Sequence, residues 1–360
     1  VSESPPAFIP VWRDARDPEW SSTEIPNRVD VAVVGGGVIG LTAMHHLVTA
    51  GASAVLIEAG QPGAGSSTTG SGVVGWSRTI ADPGAIDPRA SGSDDVAATV
   101  AGAQQWFARF IQHHRLDADL TIPGSVHLAG PSDPGPLGTV DPRRLIEALM
   151  HAIVARGGAA AFDEPLRSAS HHTRGFQLLT SRRKISAHNV IMAAGAAPGP
   201  YPMTDLRKRY RPRRGRCIVF TSERLDPMLP EGATTYSRAP DVRALRRLSR
   251  TAALLWFPDL TKRRSGLPPS VLLDESAPGL DATITHDWPD RYATTHDGLP
   301  RIGRINGVWY AGGAADPALT ALLGDHVAGL TIGSVASSPF AEIPHDYAIT
   351  SRLRRTLTGR

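Results

Sequence analysis

The stretch Val29-Asp30-Val31-Ala32-Val33-Val34-Gly35-Gly36-Gly37-Val38-Ile39-Gly40-Leu41 decides the fold class. Apart from Asp30, its first six residues are apolar and mostly β-branched, the composition of a buried strand. The next six read G-x-G-x-x-G. Leu41 to Ala50 is compatible with a helix, which Gly51 ends as a left-handed cap. A second apolar strand, Ala54-Val55-Leu56-Ile57, finishes at Glu58. This order of strand, tight turn, helix, strand and terminal acid is the setting in which G-x-G-x-x-G binds a dinucleotide. Gly35 allows the turn, Gly37 lets the backbone approach a pyrophosphate, and Gly40 lets helix and strand pack closely. The helix N-terminus offers unpaired N–H groups and a positive dipole to the phosphates. Glu58 lies about 20 residues on, where a carboxylate accepts both ribose hydroxyls. An acid there, with no Arg beside it, argues against a 2′-phosphate and so against NADP.

Around this unit the composition excludes several classes. The 360 residues predict two domains at about 150 residues each. With 38 Lys and Arg against 34 Asp and Glu, the formal charge of +4 is too small to imply nucleic acid. The basic residues are nearly all Arg; Lys stands only at Lys184, Lys208 and Lys262. No apolar run approaches the roughly 20 residues of a membrane-spanning helix. Val1 to Trp20 is polar and has no apolar h-region, so no secretory signal is expected and the expected location is the cytoplasm. The lone Cys217 excludes an internal disulfide framework and any Cys-clustered zinc or iron–sulfur site.

The segment from Pro10-Val11-Trp12 through the fingerprint to Leu56-Ile57-Glu58-Ala59-Gly60 resembles the FAD-dependent oxidoreductases of the D-amino-acid oxidase family. That family includes glycine oxidase, sarcosine oxidase and the γ-glutamylputrescine oxidase-like enzymes. In it a small-residue loop, often G-x-G-A-S-G-R-N-G-G, runs beneath the flavin. The same stretch here is Gly63-Ala64-Gly65-Ser66-Ser67-Thr68-Thr69-Gly70-Ser71-Gly72, which keeps the small residues and hydroxyls but not the Arg-Asn pair. A helix from Pro142 to about Arg156, capped by Thr139 or Asp141, resembles the one preceding the family's adenine-contacting strand, here near Pro165 to Ser168. Ile185 to Ala196 resembles the strand A-x-x-V-V-x-A-x-G. Trp288 to Gly303 is similar to W-x-G … T-x-D-G-x-P-x-I-G, and Val308 to Gly313 to the closing strand. A final helix, from about Leu319 to Val335, would direct its dipole and free N–H groups at the flavin pyrimidine. The resemblance thus implies non-covalent FAD held by Gly35, Gly37, Val38, Ile39, Gly40, Glu58, Ala59, Gly65, Ser66, Ser67, Thr68, Gly72, Val73, Ala194, Gly195, Gly303, Gly313, Ala314, Ala318, Leu319 and Thr320.

The chain departs from the family in two places. The Gly-rich turn G-x-x-G-H/N-G before the last helix is here Gly313-Ala314-Ala315-Asp316-Pro317-Ala318. Lost glycines should reshape the floor under the flavin, which reads as a modified active site for unusual chemistry, as a site of weak flavin affinity, or as a merely re-engineered loop. Asp316 can cap the helix with Pro317 in its first turn, yet a carboxylate near flavin N1 would oppose the anionic reduced flavin. Secondly, between Cys217 and His286 the expected substrate sheet reads as abbreviated: a strand Cys217 to Thr221, an Arg-rich, helix-compatible Asp241 to Leu255, then Leu272-Leu273-Asp274. The implied fold is α/β, a Rossmann-like FAD-binding domain (GR2 type) with an inserted, abbreviated α+β substrate domain. FAD-binding parts are expected at 1–85, 136–205 and 291–360, and substrate parts at 86–135 and 206–290.

Catalytic candidates are few. His286 and His296 flank the Trp288 motif and have the pKa range of proton shuttles; the alternative for each is plain packing. Tyr292, Arg238, Tyr236 and Trp256 are polar aromatics and an Arg placed in the cap. Arg207 to Arg216 reads either as a clamp for carboxylate or phosphate or as a solvated crossover. Arg243, Arg246, Arg247 and Arg250 have helical spacing, which makes a basic face or merely a solvated one. One of His45 and His46 could lean toward the flavin, although packing is the expected role, and His113-His114 and His171-His172 lack metal-like partners. Cys217 reads as a buried strand residue. The function implied is hydride transfer from an amine or amino-acid substrate to FAD, giving an imine, with oxygen or another acceptor reoxidising the flavin. Two alternatives stay open, a biosynthetic tailoring oxidoreductase with a larger or carrier-bound substrate, and a non-catalytic FAD-binding subunit. Expected partners are a small amine, amino acid or carboxylate-bearing substrate, with no nucleic acid and no membrane span; an oligomer is possible.

Overall fold

The computed structural model describes residues 10–12, 19–75, 93–122, 137–172, 174–195, 208–225, 229, 234–237, 243–295 and 300–341. Strand β1 (Arg28–Val34) takes the centre of an eight-stranded sheet, paired in parallel with β2 (Ala54–Ile57) and β8 (Lys184–Met192). Its apolar run is continuous because both faces are covered. Val31 and Val33 enter one core, whereas Ala32 and Val34 enter the other. Beyond β2 lies β5 (Ala159–Ala161). On the other flank the first half of β8 pairs with β7 (Gly175–Thr180), itself in a hairpin with β6 (Leu166–His172). The second half of β8 pairs with β15 (Val308–Gly312), which pairs in turn with β14 (Arg301–Ile305).

Helices cover the first of those cores. They are α1 (Val38–Thr49), α2 (Ser93–His114), α3 (Pro142–Ala155) and α5 (Pro317–Ile332). The caps follow sequence chemistry: Asp141 accepts from Arg143 and Arg144 N–H, with Pro142 in the first turn. Thr139 instead lies in the short strand β4 (Gly138–Thr139), paired with β3 (Val73–Val74). α5 ends at Gly333 in the left-handed conformation. No described helix is long and apolar enough to cross a membrane.

A second, antiparallel sheet has five described strands in the order β10 (Thr234–Ser237), β11 (Arg243–Arg247), β12 (Ala252–Phe257), β9 (Tyr210–Thr221) and β13 (Thr283–Thr295). This corrects the helix-compatible reading of Asp241 to Leu255: residues 243–247 and 252–257 are neighbouring strands. Ala253, Leu254, Leu255, Trp256 and Phe257 are buried on both faces of the sheet, and that burial overrides local helix propensity. Arg246 and Arg247 form no solvated face either, as both are buried. Arg246 donates to the carbonyls of Ser71 and Val140, and Arg247 to those of Leu229, Ser249 and Arg250. Leu272 and Leu273 belong to helix α4 (Pro269–Ser276) and pack into the core on one face of the sheet. Arg211 to Arg216 fall on β9, where Arg213 pairs with Asp259 and Arg216 grips Asp287 through both oxygens at 2.6 Å. Cys217 is buried on β9, as expected.

Candidate active site

The phosphate-binding turn has its glycines where contact requires them. Gly35 holds φ +110°, and a Cβ there would lie 2.4 Å from the Ala193 carbonyl. A Cβ on Gly40 would lie 1.8 Å from the Gly35 carbonyl, so helix and strand meet here without side chains. Gly37 is the N-cap of α1 and supplies no side-chain cap. The first turn is therefore open to an anion, apart from Val38 N–H, which donates to Ser67 Oγ at 3.0 Å. Glu58, at the end of β2, accepts from the backbone N–H of Gly36 and of Gly60, which fixes its carboxylate beside the turn. An uncapped helix terminus, two hydroxyls (Ser66 and Ser67) and an anchored acid suit the pyrophosphate and ribose of FAD.

The loop from Gly63 to Gly75 leaves this turn and lies against the second sheet. Side chains hold it through its backbone: Trp12 donates to the Thr68 carbonyl at 2.6 Å, Trp288 to that of Thr69 at 2.9 Å and Arg246 to that of Ser71, while Asp316 accepts from Gly75 N–H at 2.8 Å. A pocket opens between loop and sheet. Val38, Ser66, Ser67, Gly70, Ser71, Gly72 and Val73 form one side, and Ala314, Ala315, Pro317 and Thr320 come from the closing turn and α5. The second sheet contributes Trp256, Asp290 and Tyr292.

The pocket thus unites Val38, Ser66, Ser67, Gly72, Val73, Ala314, Thr320, Trp256 and Tyr292 among the residues expected from sequence. Gly35, Ile39, Gly40, Glu58, Ala59, Gly65, Thr68, Ala194, Gly195 and Gly313 lie outside its lining, on the turn, loop and strand ends around it. Gly303 lies within β14, outside the lining, with the Tyr310 phenol packed beside it: a Cβ on Gly303 would lie 2.4 Å from the phenol oxygen. His286 lies on β13 outside the pocket, beside Thr285 Oγ1 at 3.0 Å, and burial lowers its pKa. Arg238 and His296 lie outside the described residues, and nothing is described of the Tyr236 side chain.

The start of α5 corrects one expectation. Asp316 caps the helix with Pro317 in its first turn, and its carboxylate accepts from Ala318, Leu319 and Gly75 N–H. Thr320 N–H bonds to the Asp316 carbonyl, and Pro317 has no N–H. No free N–H remains in the first turn for the flavin pyrimidine. The carboxylate is itself turned into the protein and does not line the pocket.

Asp290 escapes the sequence reading. It is 2% exposed, its Oδ1 accepts from Thr69 Oγ1 at 3.1 Å and its Oδ2 from Trp256 Nε1 at 2.9 Å. Burial pushes its pKa up to about 6, against the opposing pull of those two hydrogen bonds. Strand alternation carries the missed signal: Trp288, Asp290 and Tyr292 share the buried face of β13 while Pro289 and Arg291 are exposed. Asp290 also stands where the W-x-G motif has Gly. Gly215 on β9 makes the room, as a Cβ there would lie 3.2 Å from Asp290 Oδ2.

The family model described as "FAD dependent oxidoreductase" (DAO) matches residues 30–137 and 133–330. A search of curated proteins finds no match. Among solved structures, glycine oxidase from Geobacillus kaustophilus is 19% identical with a TM-score of 0.65, over 89% of this chain and 100% of that one. L-amino acid deaminase from Proteus vulgaris, carrying a deletion of its specific insertion sequence, is 15% identical with a TM-score of 0.70, over 89% and 96%. Iminodiacetate oxidase from Chelativorans sp. BNC1 is 18% identical with a TM-score of 0.65, over 88% and 97%. Fingerprint, loop and closing helix are thus those of one family along nearly the whole described chain, which belongs to the DAO family of FAD-dependent oxidoreductases.

Proposed function

We propose that the protein oxidises the carbon–nitrogen bond of a small amine or amino acid. When bound, FAD supplies the two-electron acceptor: hydride leaves the carbon bearing the nitrogen, and the resulting imine is hydrolysed by water to a carbonyl compound and ammonia or an amine. Gly37, Val38, Ile39 and Ser67 would hold the pyrophosphate and Glu58 the ribose, the roles their chemistry suits. Trp256 and Tyr292 wall the substrate side and exclude water, which strengthens every polar contact made there.

The observation that carries this reading is the position of the pocket, between the small-residue loop and the antiparallel sheet. Neighbours of the same fold are a glycine oxidase, an iminodiacetate oxidase and an L-proline dehydrogenase, whose names share a nitrogen-bearing substrate. The test is product analysis with the FAD-loaded protein and a panel of free amines and amino acids, under oxygen and with an artificial electron acceptor. The expected result is carbonyl product from at least one of them. Stoichiometric flavin with no product from any compound and either acceptor would remove the reading, in favour of a carrier-bound substrate or a non-catalytic role.

A further inference from the structure

Resting on that amine-oxidising reading, we propose that Asp290 is the anchor for a substrate ammonium group, and that the site selects amines without an α-carboxylate over amino acids. Opposite the segments that would hold FAD, the pocket's wall on the second sheet is Trp256, Asp290 and Tyr292, and its charge is one-sided. Asp290 is the one ionisable carboxyl among its described lining residues, and none of those residues is Arg, Lys or His. The nearby buried cation, Arg246, stands behind the loop with its Nη1 on the carbonyls of Ser71 and Val140. Arg216, on the neighbouring strand, is held by both oxygens of Asp287. An amino acid entering this pocket would bring its carboxylate toward Asp290 with no described cation to receive it. An alkylammonium would bring the charge that the described lining lacks.

The geometry of Asp290 fits that role. Each carboxylate oxygen accepts one hydrogen bond, from Thr69 and from Trp256, and keeps a lone pair for another donor. Both donors orient the group and favour its anionic form. A buried carboxylate without a cation is costly, so a cation that enters the same low-dielectric space gains most of what water would have given it. Trp256 adds an aromatic wall next to the charge, and Tyr292 a second on the same face of β13. Asp290 is thereby a specificity-determining residue, distinct from the segments that would hold FAD.

The test is anaerobic calorimetric titration of the FAD-loaded protein at neutral pH with benzylamine, both enantiomers of phenylglycine and benzyl alcohol. The first two ligands differ by the carboxylate, the first and last by the charge. Benzylamine is expected to bind at least tenfold more tightly than either phenylglycine and than benzyl alcohol. Asp290→Asn, with flavin retained, is expected to weaken benzylamine at least tenfold and to leave benzyl alcohol unchanged. Equal or tighter binding of a phenylglycine, equal binding of benzyl alcohol, absence of benzylamine binding, or undiminished benzylamine binding by D290N each overturns the anchor. The benzyl alcohol comparison needs no variant and decides the matter should D290N lose its flavin. The flavin band in the same samples separates the two ideas. Asp290-dependent binding without bleaching upholds the anchor and counts against amine oxidation, whereas bleaching by phenylglycine alone overturns the anchor and upholds amino-acid oxidation.

Discussion

Asp316 and Asp290 are both buried carboxyls, and their partners give them opposite consequences. Asp316 accepts three backbone N–H groups and ties the start of α5 to Gly75. Replacing it with Ala leaves those donors buried and unpaired, so D316A should lower stability by about 1–2 kcal/mol, read as a fall in urea midpoint at constant m. Asp290 has only two neutral donors, and its pKa rises from 3.8 to about 6. The folded state therefore holds its proton more tightly than the unfolded state does. Its contribution is most favourable below pH 4 and is lost as pH rises to 6, which costs about 3 kcal/mol above that. D290N should accordingly be more stable than wild type at pH 7.5, by up to about 3 kcal/mol, and equal to it near pH 4. Denaturant unfolding at the two pH values checks this, and a D290N less stable at pH 7.5 would refute it. Asp316 is legible as a cap because Asp-Pro before a helix is a local signal. For Asp290 strand alternation marks only a buried position, because its significance depends on Thr69, 221 positions away, and on Trp256.

Helix α1 and strands β11 and β12 mark the range of what an element discloses in sequence. The β1–α1–β2 unit is legible because its burial follows its own composition and its glycines have one geometric purpose each. For Gly37 that purpose is the close approach of Ser67 to the helix N-terminus, where a Cβ would sit 2.8 Å from Ser67 Oγ. Gly37→Ala should keep the fold, as shown by far-ultraviolet circular dichroism, and bind FAD at least tenfold more weakly, as measured by fluorescence titration. Unchanged affinity would mean that the pyrophosphate does not approach there. The Arg243 to Phe257 segment is different. Arg, Ala and Leu are all good helix formers, and their strand state comes from β9 and from the buried sheet faces. The carbonyls that receive Arg246 and Arg247 are likewise set by tertiary structure, so a surface reading of those charges is the natural error.

Across the whole molecule, the mixed eight-stranded sheet with its helices and the antiparallel sheet meet on the loop from Gly63 to Gly75, and the pocket lies where they meet. The helical side carries its own pH dependence. His45 is 1% exposed between α1 and α2, in edge contact with Phe110 and His114, and burial foremost, then the charge of His114, lowers its pKa to about 4. The folded state thus resists protonating it. Its stabilising contribution is complete above pH 6.5 and is lost as pH falls to 4, a change of about 3 kcal/mol. This slope opposes that of Asp290. His45→Leu should flatten the acid side of the stability profile, and thermal unfolding from pH 7 to 4 measures it; an unaltered profile would show that His45 is not its source. The function proposed for the molecule turns on one event, the reduction by an amine of FAD bound against the loop side of this pocket. Anaerobic titration of the FAD-loaded protein with benzylamine, followed at the flavin absorbance band, observes that event itself. We predict a flavin spectrum at one per chain that bleaches as the amine is added. A protein that stays colourless after reconstitution, or a bound flavin that remains oxidised with benzylamine and with every amine and amino acid of the panel, would contradict it.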